Sequence, residues 1–265
     1  MTSIPEPKPL PRRRLADDLR AAIDHEEIEL RYQPQVALAD GSITGVEVLA
    51  RWRHPRLGEL GAEQLFAAAA RARLLPALSQ HIQAAALREV AAWPASLSEL
   101  GVAINVTASD LARPEFAKDL LAHAVALGIE PARLTAEVTE HEPIADLAAA
   151  ARALADLRDA GVSVALDDFG TGYSGLAYLR TLPLDCVKVD GEFSADLLRE
   201  PGAQVVIRHV IAMARQLGLK VIGEGIESAR HRDLLAEAGA THFQGYLRAP
   251  PLDGTSLAAL IESGG

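Results

Sequence analysis

Short segments rich in β-branched residues alternate with longer helical segments along most of the chain, and this alternation constrains the fold more than any other feature. Two neighbouring strands that run parallel need a long crossover connection, which a helix usually provides. The pattern therefore predicts a mainly parallel sheet covered by helices. The predicted strands are residues 30–38, 43–51, 101–106, 133–139, 162–168, 186–190, 219–225 and 241–245.

The helical segments indicate how this sheet is closed. They include residues 62–73, 116–127, 144–160, 204–217 and 228–238. About eight strands in about 250 residues are typical of a closed barrel, and an open doubly wound sheet is the main alternative. The first two strands are joined by the short turn "ADGS", which is too short for a parallel crossover. We therefore expect an α/β fold, a TIM-like (β/α)8 barrel with an irregular, antiparallel first strand.

The two ends of the chain differ in character from its middle. Residues 1–14 are rich in proline and are predicted to be a tail or linker, whereas residues 15–262 are predicted to form one folded domain. The N-terminal region has no apolar signal segment, and no apolar run is long enough to span a membrane. A cytoplasmic location without a membrane partner is therefore expected.

Charge and cysteine content restrict the partners and the chemistry. The formal net charge is -10, which disfavours a DNA or RNA polymer as partner, although a small phosphate ligand can still bind through a cation. Cys186 is the only cysteine, so an intrachain disulfide and a cysteine zinc cluster are excluded. Its apolar surroundings in the sequence predict a buried thiol.

Acidic and amide side chains stand at the carboxyl ends of several predicted strands, which meet at one face of a barrel. Carboxylates that converge there would repel one another, and hard divalent cations relieve this because they prefer oxygen ligands. The sequence thus predicts a cage for one cation and a second cation beside it, a pair that recurs in phosphodiester cleavage. The predicted ligands are Glu47, Asn105, Glu137 and Asp167 for the first, and Asp168 and Glu224 for the second.

The segment "VALDDFGTGYSG", residues 164–175, also contains the spacing G-x-G-x-x-G of a dinucleotide-binding turn. Two features speak against that function. Asp167 and Asp168 stand directly before the glycines and would repel a pyrophosphate, and Pro183 limits the following helix to about two turns. The segment therefore favours a metal site over a pyrophosphate cradle. No H-E-x-x-H motif is present as a competing metal site.

The same residues lie in motifs that resemble the EAL-domain phosphodiesterases of bacterial cyclic di-GMP signalling. The resemblance extends in order from about Leu30 to Leu252. The signature triplet is Glu47-Val48-Leu49 here, with valine in place of alanine. It is followed by "INVT", "AEVTE", "LDDFGTGYSGL", "LPLDCVKVD", "IGEGIES" and "FQGYL". Several ordered motifs make the resemblance specific.

The resemblance implies a reaction and a cofactor. The expected reaction is hydrolysis of cyclic di-GMP to linear pGpG with two divalent cations, Mg²⁺ or Mn²⁺. The alternative is an EAL-like receptor that binds cyclic di-GMP with weak or no cleavage. The resemblance assigns the metal ligands to the six residues predicted above, catalytic roles to Lys188, Glu224, Asp168 and Glu140, and substrate contacts to Gln33, Leu49, Arg51 and Gln244.

The resemblance also carries expectations about partners and about departures from the family pattern. A homodimer is expected, and an upstream sensory domain is expected if this chain is part of a longer protein. Arg71, Leu74, Arg248 and Pro250 replace residues that are common in the family. Arg248 and Pro250 are expected to border the guanine-binding pocket and to alter substrate affinity.

Overall fold

The computed structural model describes residues 12–140, 143–170, 175–198 and 201–263. Its strands are β1 (Ile28–Ala37), β2 (Ile43–His54), β3 (Gly58–Leu60), β4 (Gly101–Val106), β5 (Leu134–Thr139), β6 (Ser163–Phe169), β7 (Cys186–Val189), β8 (Lys220–Gly223) and β9 (His242–Gln244). Its helices are α1 (Arg12–Asp24), α2 (Ala62–Ala72), α3 (Leu75–Ala91), α4 (Ala108–Leu111), α5 (Phe116–Ala126), α6 (Leu147–Asp159), α7 (Gly175–Thr181), α8 (Gly191–Ala195), α9 (Pro201–Gln216), α10 (Ala229–Ala238) and α11 (Gly254–Glu262).

The strands form one sheet that closes on itself. Its order is β1-β9-β8-β7-β6-β5-β4-β2-β3, and β1 also pairs with β2, which closes a barrel of eight strands with β3 as an appendage. Strands β2 and β4 to β9 run parallel to one another. Strand β1 is antiparallel to both β2 and β9. The predicted TIM-like barrel with an antiparallel first strand is confirmed, and the open-sheet alternative is excluded.

A tight turn explains the reversed direction of β1. Oδ1 of Asp40 accepts hydrogen bonds from the backbone N and the Oγ of Ser42, at 3.0 and 2.7 Å. Gly41 between them has a φ of 76°, which glycine adopts without strain. A turn this short can only return the chain antiparallel. The first strand therefore runs from the carboxyl-end face of the barrel towards its amino-end face.

Several elements differ from the predicted pattern. Strand β3 and helices α1, α3, α4, α8 and α11 are not among the predicted segments. Helix α6 begins at Leu147 and not at residue 144, because the side chain of Asp146 accepts a hydrogen bond from Ala149 N at 2.8 Å and caps the helix. The predicted tail, residues 1–14, lies outside the described residues except for its last three, which begin α1.

Inward-facing residues occupy successive layers of the barrel. A small apolar cluster is formed by Ala165, Cys186 and Ile222. Two positions later stand Asp167 on β6, Lys188 on β7 and Glu224 directly after β8, which share the inward face because side chains alternate along a strand. Cys186 is buried, which confirms the predicted buried thiol. Its burial raises the pKa of the thiol to about 12. Among the described helices, none combines the length and apolar character needed to cross a membrane.

Candidate metal-dependent active site

Five charged side chains meet inside the barrel near its carboxyl-end face. They are Glu47 on β2, Glu137 on β5, Asp167 on β6, Lys188 on β7 and Glu224 directly after β8. Strand closure brings together residues that are far apart in the sequence, because inward positions of neighbouring strands form common layers. The four acids are called the carboxylate cluster below.

The ammonium group of Lys188 lies at the centre of the carboxylate cluster. Its Nζ lies 2.8 Å from Glu224 Oε1 and 2.9 Å from Asp167 Oδ1. It lies 3.0 Å from Glu47 Oε2 and 3.1 Å from Glu137 Oε2. The Lys188 side chain is fully buried, and the side chain of Glu137 is only 1% exposed. One cation thus faces four carboxylates, and the excess negative charge is held away from water.

Burial and repulsion change the protonation of these groups. Desolvation raises the pKa of Glu137 well above its usual 4.5; Lys188 counteracts this, and the neighbouring carboxylates add to it. Desolvation also raises the pKa of Glu224. For Lys188, desolvation lowers the pKa, but the surrounding carboxylates outweigh it and raise the pKa well above 10.5. The lysine therefore stays charged, and parts of the cluster retain protons to a higher pH.

The donor atoms fit hard divalent cations. Glu47, Glu137 and Asp167 each offer one oxygen within 4.8 Å of the others, and Asp167, Asp168 and Glu224 form a second such group. Oε1 of Glu137 is buried and accepts no hydrogen bond from the described residues, so its lone pairs are available to a metal. Carboxylate oxygens are the ligands that Mg²⁺ and Mn²⁺ prefer. The two groups share Asp167, so its carboxylate lies within reach of both sets of oxygen donors.

A backbone irregularity allows two successive residues, Asp167 and Asp168, to belong to the same group of oxygen donors. In a regular strand Asp167 and Asp168 would face opposite sides. Asp168 has a φ of 56°, in the left-handed region that few residues other than glycine adopt. Oδ2 of Asp168 accepts a hydrogen bond from Thr139 Oγ1 at 3.3 Å. Asn105 stands on β4 directly opposite Glu137 in the β4–β5 pairing, next to the carboxylate cluster.

A cavity of about 410 Å³ lies beside the carboxylate cluster. Its lining residues are Gln33, Glu47, Gly191, Glu224, Gly225, Glu227, Gln244, Gly245 and Tyr246. Nε2 of Gln244 donates hydrogen bonds to Oε2 of Glu47 and, at 3.3 Å, to Oε1 of Gln33. The volume is within the usual range for small-molecule sites. Both glutamines therefore line the cavity, and Gln244 also contacts the predicted metal ligand Glu47.

Residues 16–251 match the family model described as EAL domain. The chain belongs to the EAL domain family. The match covers most of the barrel, from helix α1 to the segment after β9.

Curated relatives of this EAL domain include two proteins of Pseudomonas aeruginosa. The chain is 40% identical over 239 residues to the cyclic di-GMP phosphodiesterase PA2567, covering 90% of this chain and 41% of that protein. It is 38% identical over 249 residues to the cyclic di-GMP phosphodiesterase NbdA, covering 94% of this chain and 31% of that protein. The chain thus spans less than half the length of these relatives.

Solved EAL structures share the same barrel. The EAL enzyme Bd1971, in a form bound to cAMP and cyclic di-GMP, superimposes with a TM-score of 0.88 at 29% identity, covering 94% of this chain and 69% of that one. The MucR phosphodiesterase of Pseudomonas aeruginosa, in complex with cyclic di-GMP, has a TM-score of 0.84 at 31% identity, covering 92% of this chain and 99% of that one. The antiparallel first strand therefore belongs to an established fold.

Glu140 holds both ends of a segment that follows β6 in this EAL domain. Its Oε2 accepts a hydrogen bond from Gly170 N at 3.1 Å, and its Oε1 accepts one from Gly175 N at 2.7 Å. Gly170 has a φ of 110°, and a Cβ there would lie 2.6 Å from Cδ1 of Phe193. This position therefore requires glycine. Residues 171–174, which include the predicted loop glycine Gly172, lie outside the described residues.

Two predicted substrate contacts stand apart from the cavity. Leu49 and Arg51 follow Glu47 at alternate positions of β2 and are partly buried. Nη1 of Arg51 donates to the backbone oxygen of Ala50 at 2.9 Å. Neither residue is among those that line the cavity. Gln33 and Gln244 thus line the cavity, whereas Leu49 and Arg51 lie on the same face of β2 as Glu47 but outside the cavity lining.

Arg248 and Pro250 replace residues common in the family in a region expected to border the guanine-binding pocket. Arg248 lines a second cavity, together with residues of β1 and α10. Gly245 and Tyr246 line the cavity at the carboxylate cluster, and the chain turns between them and Arg248. Pro250 is exposed and lines neither cavity. The substitution at Arg248 therefore changes the other side of this turn.

A buried polar network beside Asn105 was not predicted from the sequence. It consists of Ser79, Gln83, Thr107 and Asp110. Thr107 and Asp110 form a capping box at the start of α4, in which each side chain accepts a hydrogen bond from the other residue's backbone. The sequence "TASD" contains the spacing of such a box and could have revealed this part. Nothing in the sequence singles out Ser79 and Gln83, which lie on another helix.

Proposed function

We propose that this EAL domain hydrolyses one phosphodiester bond of cyclic di-GMP and releases the linear dinucleotide pGpG. A water oxygen bonds to phosphorus, the bond from phosphorus to the 3′ oxygen breaks, and that oxygen takes up a proton. The observation that carries the proposal is the convergence of four carboxylates from separate strands on one buried lysine beside a cavity. The curated relatives named as cyclic di-GMP phosphodiesterases support the substrate.

Each residue of the site has a role in this proposal. Glu47, Asn105, Glu137 and Asp167 would hold one divalent cation, and Asp168 and Glu224 would hold a second cation or its water. When bound, two such cations lower the pKa of a water between them and neutralise charge on the phosphate oxygens. The acids are suited to this because their repulsion is only partly relieved by Lys188.

Lys188 and Glu140 act on geometry and charge. In the metal-free site the carboxylates raise the pKa of Lys188, so its ammonium is charged and can orient the attacking water as a hydrogen-bond donor. Glu140 fixes the backbone at Gly170 and Gly175. This holds the end of β6, and with it the two aspartates, in one geometry. Gln33 and Gln244 would contact the substrate from the cavity wall.

The alternative is a cyclic di-GMP receptor that does not cleave its ligand. A chain that lost a metal ligand would favour it, but every predicted ligand position carries an oxygen donor. Arg51 and Leu49, two predicted substrate contacts, do not line the cavity. Substrate affinity is therefore the property in which we most expect this domain to differ from active enzymes.

A product assay separates the two functions. Purified protein is incubated with cyclic di-GMP and Mn²⁺, and the nucleotides are separated by chromatography. The proposal expects pGpG that accumulates with Mn²⁺ or Mg²⁺ and ceases when EDTA is added. Intact cyclic di-GMP together with saturable binding in calorimetry supports the receptor. Neither cleavage nor binding contradicts both functions.

We also propose a homodimer and a cytoplasmic location. Large apolar side chains are exposed on the helices that follow β6 and β7, including Leu176, Val205 and Val206. Exposed apolar groups of this kind are frequent at protein interfaces. Light scattering coupled to gel filtration measures the oligomeric state, and a monomer at all concentrations contradicts the dimer.

A further inference from the structure

A buried glutamine joins helix α3 to the end of strand β4. Gln83 is 6% exposed and lies on the inner face of α3, among the buried residues Leu78, Ile82 and Ala86. Its Nε2 donates a hydrogen bond to the backbone oxygen of Asn105 at 3.2 Å. A polar side chain in such a position is costly unless it is hydrogen-bonded. This hydrogen bond therefore satisfies part of the requirement and links Gln83 to the backbone of the predicted metal ligand Asn105.

Gln83 is itself held in place by a fully buried carboxylate. Oδ2 of Asp110 accepts hydrogen bonds from Gln83 Nε2 at 3.2 Å, from Ser79 Oγ at 2.5 Å and from Thr107 Oγ1 at 2.7 Å. It also accepts one from the backbone N of Thr107 at 3.0 Å. Asp110 and Ser79 are 0% and 1% exposed. The amide of Gln83 therefore has one orientation, with its nitrogen towards the backbone of Asn105.

The backbone is restrained both at Asn105 and two residues after it. Asn105 itself is fixed by the parallel pairing of β4 with β5, in which it lies opposite Glu137. Thr107 is fixed by the capping box with Asp110. The Gln83 hydrogen bond acts on the peptide oxygen of Asn105 itself, so it sets the peptide plane next to the Asn105 side chain. Outer hydrogen bonds of this kind orient metal ligands and raise their effectiveness.

We propose that Gln83, held by Asp110 and Ser79, is a positioning residue for Asn105 and thereby sets the divalent-cation affinity of the site. This inference rests on the proposed metal role of Asn105. Gln83 touches neither substrate nor cation in this proposal. Its loss therefore weakens cation binding, while the chemistry at saturating cation stays nearly unchanged.

The helix α3 offers a matched pair of substitutions. Gln83→Leu keeps the size of the side chain and removes the hydrogen bond to Asn105. Gln80→Leu makes the same change at an exposed position of the same helix. Mn²⁺ binding to the substrate-free protein is measured by calorimetry, and turnover is titrated with Mn²⁺. For Gln83→Leu we expect cation affinity to fall by about 10-fold or more, with turnover at saturating Mn²⁺ within about 3-fold of wild type. Gln80→Leu should bind Mn²⁺ as wild type.

A double variant separates positioning from general destabilisation. If Gln83 acts through Asn105, adding Gln83→Leu to Asn105→Ala causes no further loss of Mn²⁺ affinity, whereas independent effects would add. Ser79→Ala removes one hydrogen-bond donor to Asp110 and should lower the Mn²⁺ affinity by a smaller factor. This variant replaces Gln83→Leu in the measurement if Gln83→Leu does not fold. Wild-type Mn²⁺ affinity in Gln83→Leu, or additive losses in the double variant, overturns the inference. Because calorimetry needs no substrate, absent turnover in wild type contradicts only the proposed function.

Discussion

Nζ of Lys188 donates a hydrogen bond to Oε2 of Glu137 at 3.1 Å, while Oε1 of the same carboxylate is buried and has no partner among the described residues. One glutamate therefore combines a strong ion pair with an unused acceptor. The first property offsets part of the repulsion among the buried carboxylates, and the second leaves an oxygen available to a metal.

Asp167 belongs to both groups of oxygen donors, so its neutralisation should affect both cation positions. We expect Asp167→Asn to lower turnover of cyclic di-GMP by at least about 100-fold, because the amide oxygen lacks the charge that a bridging ligand provides. Circular dichroism should show an intact fold. Asp156→Asn, the same change on an exposed face of α6, should retain wild-type turnover. Wild-type turnover in Asp167→Asn would show that β6 does not hold the metals.

Lys188 is the single counter-charge in contact with the carboxylate cluster among the described residues. Lys188→Met should abolish turnover and destabilise the metal-free protein by about 3–5 kcal/mol, because it leaves buried carboxylates unpaired. Mn²⁺ should then raise the melting temperature of the variant more than that of wild type. Thermal unfolding with and without Mn²⁺ measures both effects. Lys118→Met on the exposed face of α5 is the control, and an equal Mn²⁺ response in both proteins argues against shared electrostatics.

Glu140 binds two backbone amides of the segment after β6, at Gly170 and Gly175. Glu140→Gln can accept only one of them with its remaining oxygen. We expect turnover to fall by about 10-fold or more, and the amides of Gly170 and Gly175 to exchange hydrogen faster. Exchange is followed by mass spectrometry on the metal-free protein. Unchanged exchange with reduced turnover would mean that Glu140 acts directly on the substrate and not through this segment.

The pH dependence of cation binding follows from Glu137 and Glu224. Desolvation raises the pKa of both carboxyls above 4.5, so between that pH and the raised pKa the folded protein holds more protons than the unfolded chain. Their contribution to stability is therefore lost as the pH rises through the raised pKa values. Cations compete with these protons. The rise in melting temperature caused by Mg²⁺ should thus increase with pH above 4.5.

Glu137→Gln tests the origin of this pH dependence. The variant lacks one titrating carboxyl, so its Mg²⁺ response should be small at every pH. Glu63→Gln, at an exposed position of α2, should behave as wild type. A Mg²⁺ response of the wild-type protein that does not increase at any pH above 4.5 would contradict the raised pKa of the cluster.

The barrel could be predicted because its determinants are local. Alternating strands and helices indicate parallel pairing, and the short turn around Asp40 and Gly41 decides the direction of β1. The grouping of acids at strand ends follows from the same reasoning. These features need no knowledge of distances between residues that are remote in the sequence.

The remaining features of the site depend on distances that only the closed barrel sets. The position of Lys188 among four acids follows from the layers of the closed barrel, and the left-handed φ of Asp168 has no sequence signal of its own. The contact of Gln83 could not be predicted, because its partner Asn105 lies on another element and the sequence indicates only a polar residue of a helix. The cavity that Arg248 lines could not be predicted either, because a turn separates Arg248 from Gly245 and Tyr246, which line the other cavity.

The reversed first strand has a topological consequence. In a barrel with uniformly parallel strands, the chain enters at the face opposite the catalytic residues. Here β1 begins opposite Trp52 beyond the mouth, and Nε2 of His54 lies 3.2 Å from Oδ2 of Asp18 on α1. Helix α1 therefore borders the same face as the site, and β1 leads from it to Gln33 on the cavity wall. The first helix and the cavity wall are thus joined by one continuous strand, without a connection through the opposite face of the barrel.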